Sequence, residues 1–448
     1  MHPTGPADLL PIGRPLEWFE QISIRCEKLR FMDVQVSPWR NRDFQRYWFG
    51  HTVSQLGSQV TTLALPLVAL LQLNASSSQV GLLRASQYVP FLLLTLPVGV
   101  LADRVRRRPL MILADLGRAV LLAVIPAVAA IGVLGFPVLV AVAFGVGAFT
   151  VVFDVCYGSV LPGLIPREQL QSGNAALESS RAFASIAGPG LGGALVSLFK
   201  ASGAIVADAA SYLVSAASLL AIRRPEPHAA SPSQRGFSSL LVGWRQVARS
   251  PLLRPNTFYT AVSNLVGTAF GTVLVVFEVR ELGLSGLAIG VVAALGNIGF
   301  LVGAAISRRL GGRIGIGRVI CLSGFLSAAG MSVMATAPQG VPLPSLVVGQ
   351  LMLGGGIAMS NLQTMSLRQA ITPDAVLGRV NAAVRFVGFG TIPVGGAAGG
   401  ALAGVIGFRQ VLFLAAVGLV LATLFPLLSA VRRTYETPPV EPLWVTGA

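Results

Sequence analysis

Charge is what this chain lacks most. Only 11% of its 448 residues are Asp, Glu, Lys or Arg, against about 25% in soluble domains. A soluble chain of this length would interrupt its apolar runs far more often, so globular soluble classes are excluded. Cysteine is nearly absent as well. Cys26, Cys156 and Cys321 are far apart and form no CxxC pair, which removes a disulfide framework and a zinc site. The three histidines, His2, His51 and His228, are equally scattered. His51, near the start of the first apolar run, is read as an ordinary histidine rather than a proton carrier. There is no nucleophile elbow, dinucleotide fingerprint or phosphate-binding loop. The chain therefore has no visible means of hydrolysing ATP. No cofactor, metal or catalytic residue is expected, and the chain is not read as an enzyme.

What it has in abundance is hydrophobic sequence, 53% of all residues, with a mean hydropathy of +0.72. Runs of about 20 apolar residues suffice to cross a bilayer as helix, and they recur along the whole chain. Spans are predicted near 44–71, 79–101, 109–131, 136–160, 173–198, 203–222, 256–277, 287–306, 318–337, 343–366, 380–404 and 410–430. The fold class is thus an all-α membrane protein of about twelve transmembrane helices.

The net charge of +15 does not indicate nucleic acid, because the basic residues sit between spans on alternate sides. Odd connections carry only Lys200, Arg280 and Arg409. Even ones hold Arg104, Arg106, Arg107 and Arg108, then Arg167, then Arg223, Arg224, Arg235, Arg245, Arg249 and Arg254, then Arg308, Arg309 and Arg313, then Arg379, with Arg432 and Arg433 in the tail. Lys and Arg accumulate on the cytoplasmic side. Both termini are therefore expected in the cytoplasm and the chain in the cell (inner) membrane, in contact with lipid and monomeric.

Residues 1–37 read as a disordered tail, or as an extension upstream of a start at Met32, and lack the apolar core of a signal peptide. The remainder divides into a bundle at 38–222, a cytoplasmic linker at 223–254, a second bundle at 255–431 and a tail at 432–448. Within the linker, Phe237–Arg249 is predicted as an amphipathic helix on the inner leaflet, with Trp244 at the interface. A shift of 207 residues lays Pro166 on Pro373, Asn174 on Asn381, and Gly192-Gly193-Ala194-Leu195 on Gly399-Gly400-Ala401-Leu402. Duplication explains these matches at equivalent topological positions. It gives two six-helix bundles related by pseudo-twofold symmetry, with a site between them near the midplane.

Two motifs carry chemistry. Between spans two and three stands Gly99-Val100-Leu101-Ala102-Asp103-Arg104-Val105-Arg106-Arg107-Arg108. Gly99 is expected to allow close helix contact, Asp103 to accept charge-assisted bonds, and the arginines, Arg104 and Arg107 among them, to anchor the loop. Span five contains Ala184-Ser185-Ile186-Ala187-Gly188-Pro189-Gly190-Leu191-Gly192-Gly193-Ala194-Leu195. Pro189 removes a backbone bond and bends the helix, while Gly188, Gly192 and Gly193 permit close backbone packing. The first motif resembles the signature loop of the major facilitator superfamily, with Arg106 where many members have Gly. The second is similar to the antiporter motif of its drug-exporting members, with Ala184 in the first Gly position. The segment Asn41-Arg42-Asp43-Phe44-Gln45-Arg46-Tyr47-Trp48, with Asp115-Leu116-Gly117-Arg118 and Asp208-Ala209-Ala210-Ser211-Tyr212-Leu213, resembles the branch that contains macrolide exporters and the enterobactin exporter. The resemblance covers about residues 40–430 and implies proton-coupled efflux.

Ionisable residues inside spans are costly and face the bundle interior. Asp115 with Arg118, and Glu178 with Arg181, are spaced i to i+3 and meet on one helix face. The first pair is expected to be structural. Asp208 is expected to be structural too, and Glu278 to be solvated near the outer end of its span. Asp154, Glu178 and Arg181, beside Tyr157, are candidates for coupling, since moving the arginine changes the proton affinity of its partner; a static bridge is the competing reading. Arg385 falls on Glu178 under the 207-residue shift. Candidate cavity residues are Gln55, Gln59, Arg84, Gln87, Tyr157, Asn264, Asn297 and Asn361, which would otherwise serve interhelical hydrogen bonds. Together these features point to a secondary exporter of small amphiphilic molecules by alternating access and proton antiport. The alternatives are a facilitator-type importer of a metabolite and a non-transporting sensor or scaffold.

Overall fold

The computed structural model describes residues 37–102, 104–224 and 237–435, with Pro438, Val440 and Glu441. Among the described residues, eleven helices are long and apolar enough to cross a membrane. They run α1 (Arg42–Gln72), α2 (Ser77–Ala102), α3 (Arg107–Ala130), α4 (Phe136–Leu164) and α5 (Leu170–Leu220), then a short α6 (Phe237–Arg249) that is not one of the eleven. The rest are α7 (Leu253–Arg280), α8 (Gly286–Ile314), α9 (Ile316–Ala335), α10 (Leu343–Ile371), α11 (Asp374–Ile406) and α12 (Phe408–Leu428).

The twelfth crossing lies inside α5. Its 51 residues would extend about 77 Å as one straight helix, far beyond a hydrocarbon core of about 30 Å. Lys200 breaks it, at φ 62° and ψ 167°, a conformation that side chains other than glycine's rarely adopt. The arms before and after Lys200 each cross once. All twelve predicted spans are therefore present, in two bundles.

Helix ends follow local chemistry. The Asn41 side chain accepts from the backbone N–H groups of Asp43 at 2.9 Å and Phe44 at 3.3 Å, capping α1 as N-cap residues do. Its amide also donates to Leu164 O at 2.7 Å, tying α1 to the end of α4. Gly315 and Gly407, at φ 92° and 94°, make the tight turns from α8 to α9 and from α11 to α12, where a side chain would be strained.

In the first bundle α1 packs on α5, α2 on α4, and α3 on both α4 and α5; in the second, α7 packs on α11 and α12, α8 on α10, and α9 on α10 and α12. The bundles meet where α2 packs on α11 and α5 on α8. With twelve crossings the start of α1 and the end of α12 lie on one face, termed the terminal face; the opposite one is the distal face. Val276 of α7 and Ile289 of α8 are buried in the same apolar cluster as Val60, Leu63 and Val196 of the first bundle. The halves thus share a core toward the distal face.

The structure corrects four local expectations. Arg308, Arg309 and Arg313 lie within α8, and Arg379 within α11, because hydropathy registers the hydrocarbon core whereas a helix runs on into the headgroup region. α6 does form, but it packs against α11. Gln246 and Val247 are buried there, so only its other face, with Trp244, is available to lipid. Gly99 has no neighbour within 4 Å of where a Cβ would stand, so the close contact expected of it is absent here. Glu278 is 2% exposed rather than solvated, since α7 enters the shared core at its distal end. Asp103, residues 1–36 and residues 225–236 lie outside the described residues.

Candidate functional site

The glycines of the repeat set the geometry of the seam. A Cβ on Gly193 of α5 would fall 2.5 Å from Gly286 O at the start of α8, and one on Gly290 would strike Pro189 O. In the symmetry-related place, a Cβ on Gly400 of α11 would strike Ser77 O at the start of α2, and one on Gly81 would strike Gly396 O. Each preceding glycine faces its own bundle instead, Gly192 against Val60 of α1 and Gly399 against Ala269 of α7. One repeated sequence therefore makes one repeated joint, with helix pairs 1 and 7, 2 and 8, and 5 and 11 exchanged. The Arg280 guanidinium reinforces the distal closure by donating to Asn74 O at 3.2 Å and Ala75 O at 2.7 Å.

Below this closure lies a cavity of about 460 Å³ between the bundles, within the usual range for small-molecule sites. Of the predicted cavity residues, Gln59, Arg84, Gln87, Asn264 and Asn361 line it; Gln55, Tyr157 and Asn297 do not. Asn297 instead donates to Ser185 O at 2.5 Å, bridging α8 to α5. Asn264 also donates to Gly388 O at 3.2 Å, fixing α7 against α11. Tyr259, Ser263, Thr268, Thr272 and Ser360 contribute to the wall without having been singled out. Their signal was legible, because Tyr259, Ser263, Gly267, Gly271 and Val275 repeat every four residues and mark one face of α7. Apolar wall comes from Leu63, Leu65, Pro66, Leu83, Met331 and Ile357, and Pro189 of the glycine-rich motif stands among them. Gly188 faces the Gln59 side chain, so the motif touches both cavity and seam.

The charged candidates lie elsewhere. Asp115 and Arg118 form a buried ion pair in the first bundle. The Arg118 guanidinium sits over the rings of Tyr212 at 4.1 Å and Phe153 at 4.5 Å. Asp208, fully buried, accepts from Ser211 Oγ at 3.0 Å. His51 is buried against the Tyr157 ring at 4.5 Å, and neither ring nitrogen has a partner among the described residues. At the terminal face, Arg181 pairs with Glu178 at 3.2 Å with side chains 48% and 65% exposed. Asp154 and Arg385 are exposed there, and Asp154 feels the positive charges of Arg118, Arg181 and Arg385. The distal side is thus interlocked while the terminal side presents exposed charge. Of the loop motif, Arg104 N–H bonds to Leu101 O at 3.0 Å, and Arg108 donates to Leu220 O at 2.9 Å.

Comparison with known proteins agrees with this architecture. Residues 34–442 match the model of the family described as transmembrane secretion effectors. An uncharacterized MFS-type transporter of Bacillus subtilis (strain 168), YfiS, is 27% identical over 370 residues, 80% of this chain and 85% of that one. The multidrug efflux pump Tap of Mycolicibacterium fortuitum is 26% identical over 385 residues, 81% of this chain and 89% of Tap. Among solved structures, the nucleoside transporter NupG superposes with a TM-score of 0.72 at 14% identity, covering 86% of this chain and 99% of NupG. A bacterial homologue of the iron transporter ferroportin in its inward-facing state gives 0.69 at 16% identity, covering 86% and 98%.

Proposed function

Because the chain belongs to the transmembrane secretion effector family of membrane transporters, we propose that it exports small amphiphilic molecules by alternating access, driven by proton antiport. One observation carries this reading. A cavity of about 460 Å³ with apolar and polar walls lies between two duplicated bundles, and Gly193 and Pro189, which meet Gly286 and Gly290 at its distal side, belong to the antiporter-like motif. The multidrug efflux pump among its relatives supports the same direction.

In this scheme the terminal face is cytoplasmic, the chain acts as a monomer in the cell membrane, and the conformation described is open toward the cytoplasm. The cavity collects substrate there. Separation of the joints Gly193–Gly286 and Gly400–Ser77 then releases it on the distal side. Gly99, Asp103, Arg104 and Arg107 latch the terminal face in the opposite state, and Asp154, Glu178, Arg181 and Arg385 couple protons to the exchange. Asp115 and Arg118 hold the first bundle rigid around them.

Everted membrane vesicles containing the chain should accumulate a transported probe when their lumen is acid, and a protonophore should release it. Uptake by intact cells instead would reverse the direction. A deletion strain screened against amphiphilic antibiotics and siderophores identifies the probe to use.

A further inference from the structure

The cavity has one fixed charge. Among the described residues that line it, Arg84 is the lone ionisable group apart from the Tyr259 phenol, with no Asp, Glu, Lys or His. Its guanidinium meets Gln87 Oε1 at 3.3 Å and the Tyr88 ring at 5.1 Å. Both contacts are neutral, and among the described residues Arg84 has no ion pair. The other arginines enclosed in the first bundle are different. Arg118, buried there, has Asp115, and even Arg181, half-exposed at the terminal face, has Glu178.

A guanidinium is always charged and presents planar donors that match a carboxylate or sulfonate on two atoms at once. Within a membrane, such a cation without a counter-charge is costly and marks a substrate or ion pathway. The geometry places it for this task. Arg84 is seven residues from Ser77 at the distal end of α2, hence about 10 Å along the helix, well inside the protein. Gln59 of the same bundle and Asn264 and Asn361 of the other also line the cavity, with amide groups that can donate to the remaining oxygens of an anion, and the apolar wall receives a hydrocarbon body.

We infer that the cavity selects amphiphiles bearing an acidic group, with Arg84 as the counter-ion of the substrate's carboxylate or sulfonate, and that it disfavours cationic amphiphiles through like-charge repulsion. This rests on the transport reading above but makes a separate claim about the site. A cation-accepting site would carry a carboxylate, and among the described residues that line this cavity there is none.

The test uses three probes with one body: dansyl-6-aminohexanoate (anionic), its methyl ester (neutral) and mono-dansyl-1,6-diaminohexane (cationic). Binding is measured by fluorescence titration of the full chain in lipid nanodiscs, and transport in proteoliposomes. The anion should bind about tenfold or more tighter than the ester, and the amine weakest. Arg84→Gln should erase that order without lowering the melting temperature, whereas Arg84→Lys should keep the order with reduced affinity. Equal binding of all three, tighter binding of the amine, absence of anion binding, or an order unchanged in Arg84→Gln would overturn the inference. The two claims separate cleanly. Charge-ordered binding without movement across the bilayer refutes transport and leaves the site. Transport without charge order refutes the site and leaves transport.

Discussion

Gly193 of α5 and Gly286 of α8 approach so closely that a methyl group on the former would lie 2.5 Å from the carbonyl oxygen of the latter, closer than real Cβ contacts come. The two helices belong to different bundles, so in the alternating-access scheme proposed above this pair is a joint between moving parts. Gly193→Val should hold the distal face apart and abolish transport while the protein still inserts. Gly190, three residues away, has nothing within 4 Å of its Cβ direction, and Gly190→Ala should leave transport near normal. The distance between spin labels at Ser76 and Val405, both exposed near the distal ends of α2 and α11, reports the opening. No lengthening in Gly193→Val would show that the joint does not control it.

Arg280 adds a second fastening of the same face through its bonds to Asn74 O and Ala75 O. Charge-assisted bonds contribute about 1.5 to 3 kcal/mol each when protected, and these lie at a wet rim where water competes. Arg280→Ala should therefore shift the balance by about 1 to 2 kcal/mol, roughly a five- to thirtyfold change in the ratio of conformations. The same label pair should show a larger distal-open population, and Arg280→Lys an intermediate one. Indistinguishable distributions in the three proteins would remove Arg280 from the gate.

Spans, bundle repeat and seam glycines were legible because membrane burial and duplication leave long-range patterns, apolar runs and a constant offset of 207. The predicted residues that line the cavity, Gln59, Arg84, Gln87, Asn264 and Asn361, are polar residues stranded in apolar helices, where their cost betrays them. Tyr157 and Asn297 carry the same signal, but Tyr157 stacks on His51 and Asn297 bridges α8 to α5, and Gln55 lies outside the cavity wall. Sequence spacing cannot tell a face toward the cavity from a face toward a neighbouring helix. Glu278 was misread for a related reason: its position near a span end suggests water, yet the distal end of α7 is where the two bundles share a core. Lys200 shows the reverse case. Its positive-φ turn leaves no pattern of its own, but the separate apolar runs at 173–198 and 203–222 on either side of it mark two crossings.

The buried pair Asp115–Arg118 gives a prediction about stability rather than transport. Removing one partner strands the other charge, at a cost of about 3 to 5 kcal/mol, and Arg118 would also lose the rings of Tyr212 and Phe153. Arg118→Ala should express poorly and melt at a distinctly lower temperature in detergent. The double change Asp115→Asn with Arg118→Gln, which leaves no lone charge, should be milder than Arg118→Ala despite altering two residues. If the double variant is the less stable protein, the pair is held by something other than its charge.

The last prediction concerns Glu178 and Arg385, which the internal repeat places at equivalent positions with opposite charge. In the conformation described, Glu178 pairs with Arg181 at 3.2 Å and both are largely exposed, while Arg385 has no ion pair among the described residues. Arg385 also lies close enough to Arg368 for the two positive charges to be felt, a repulsion that a carboxylate arriving from the other bundle would relieve. In the alternating-access scheme proposed above, closure of the terminal face would bring α5 and α11 together there, and Glu178 is expected to leave Arg181 for Arg385. Closure buries both groups, so each then needs the other far more than it does in water. Glu178→Ala and Arg385→Ala should each favour the terminal-open state and reduce transport. The deciding experiment is the exchange Glu178→Arg with Arg385→Glu, which should recover part of the activity that each single change loses. A double exchange no better than the worse single variant would mean that Glu178 works only with Arg181, on its own helix.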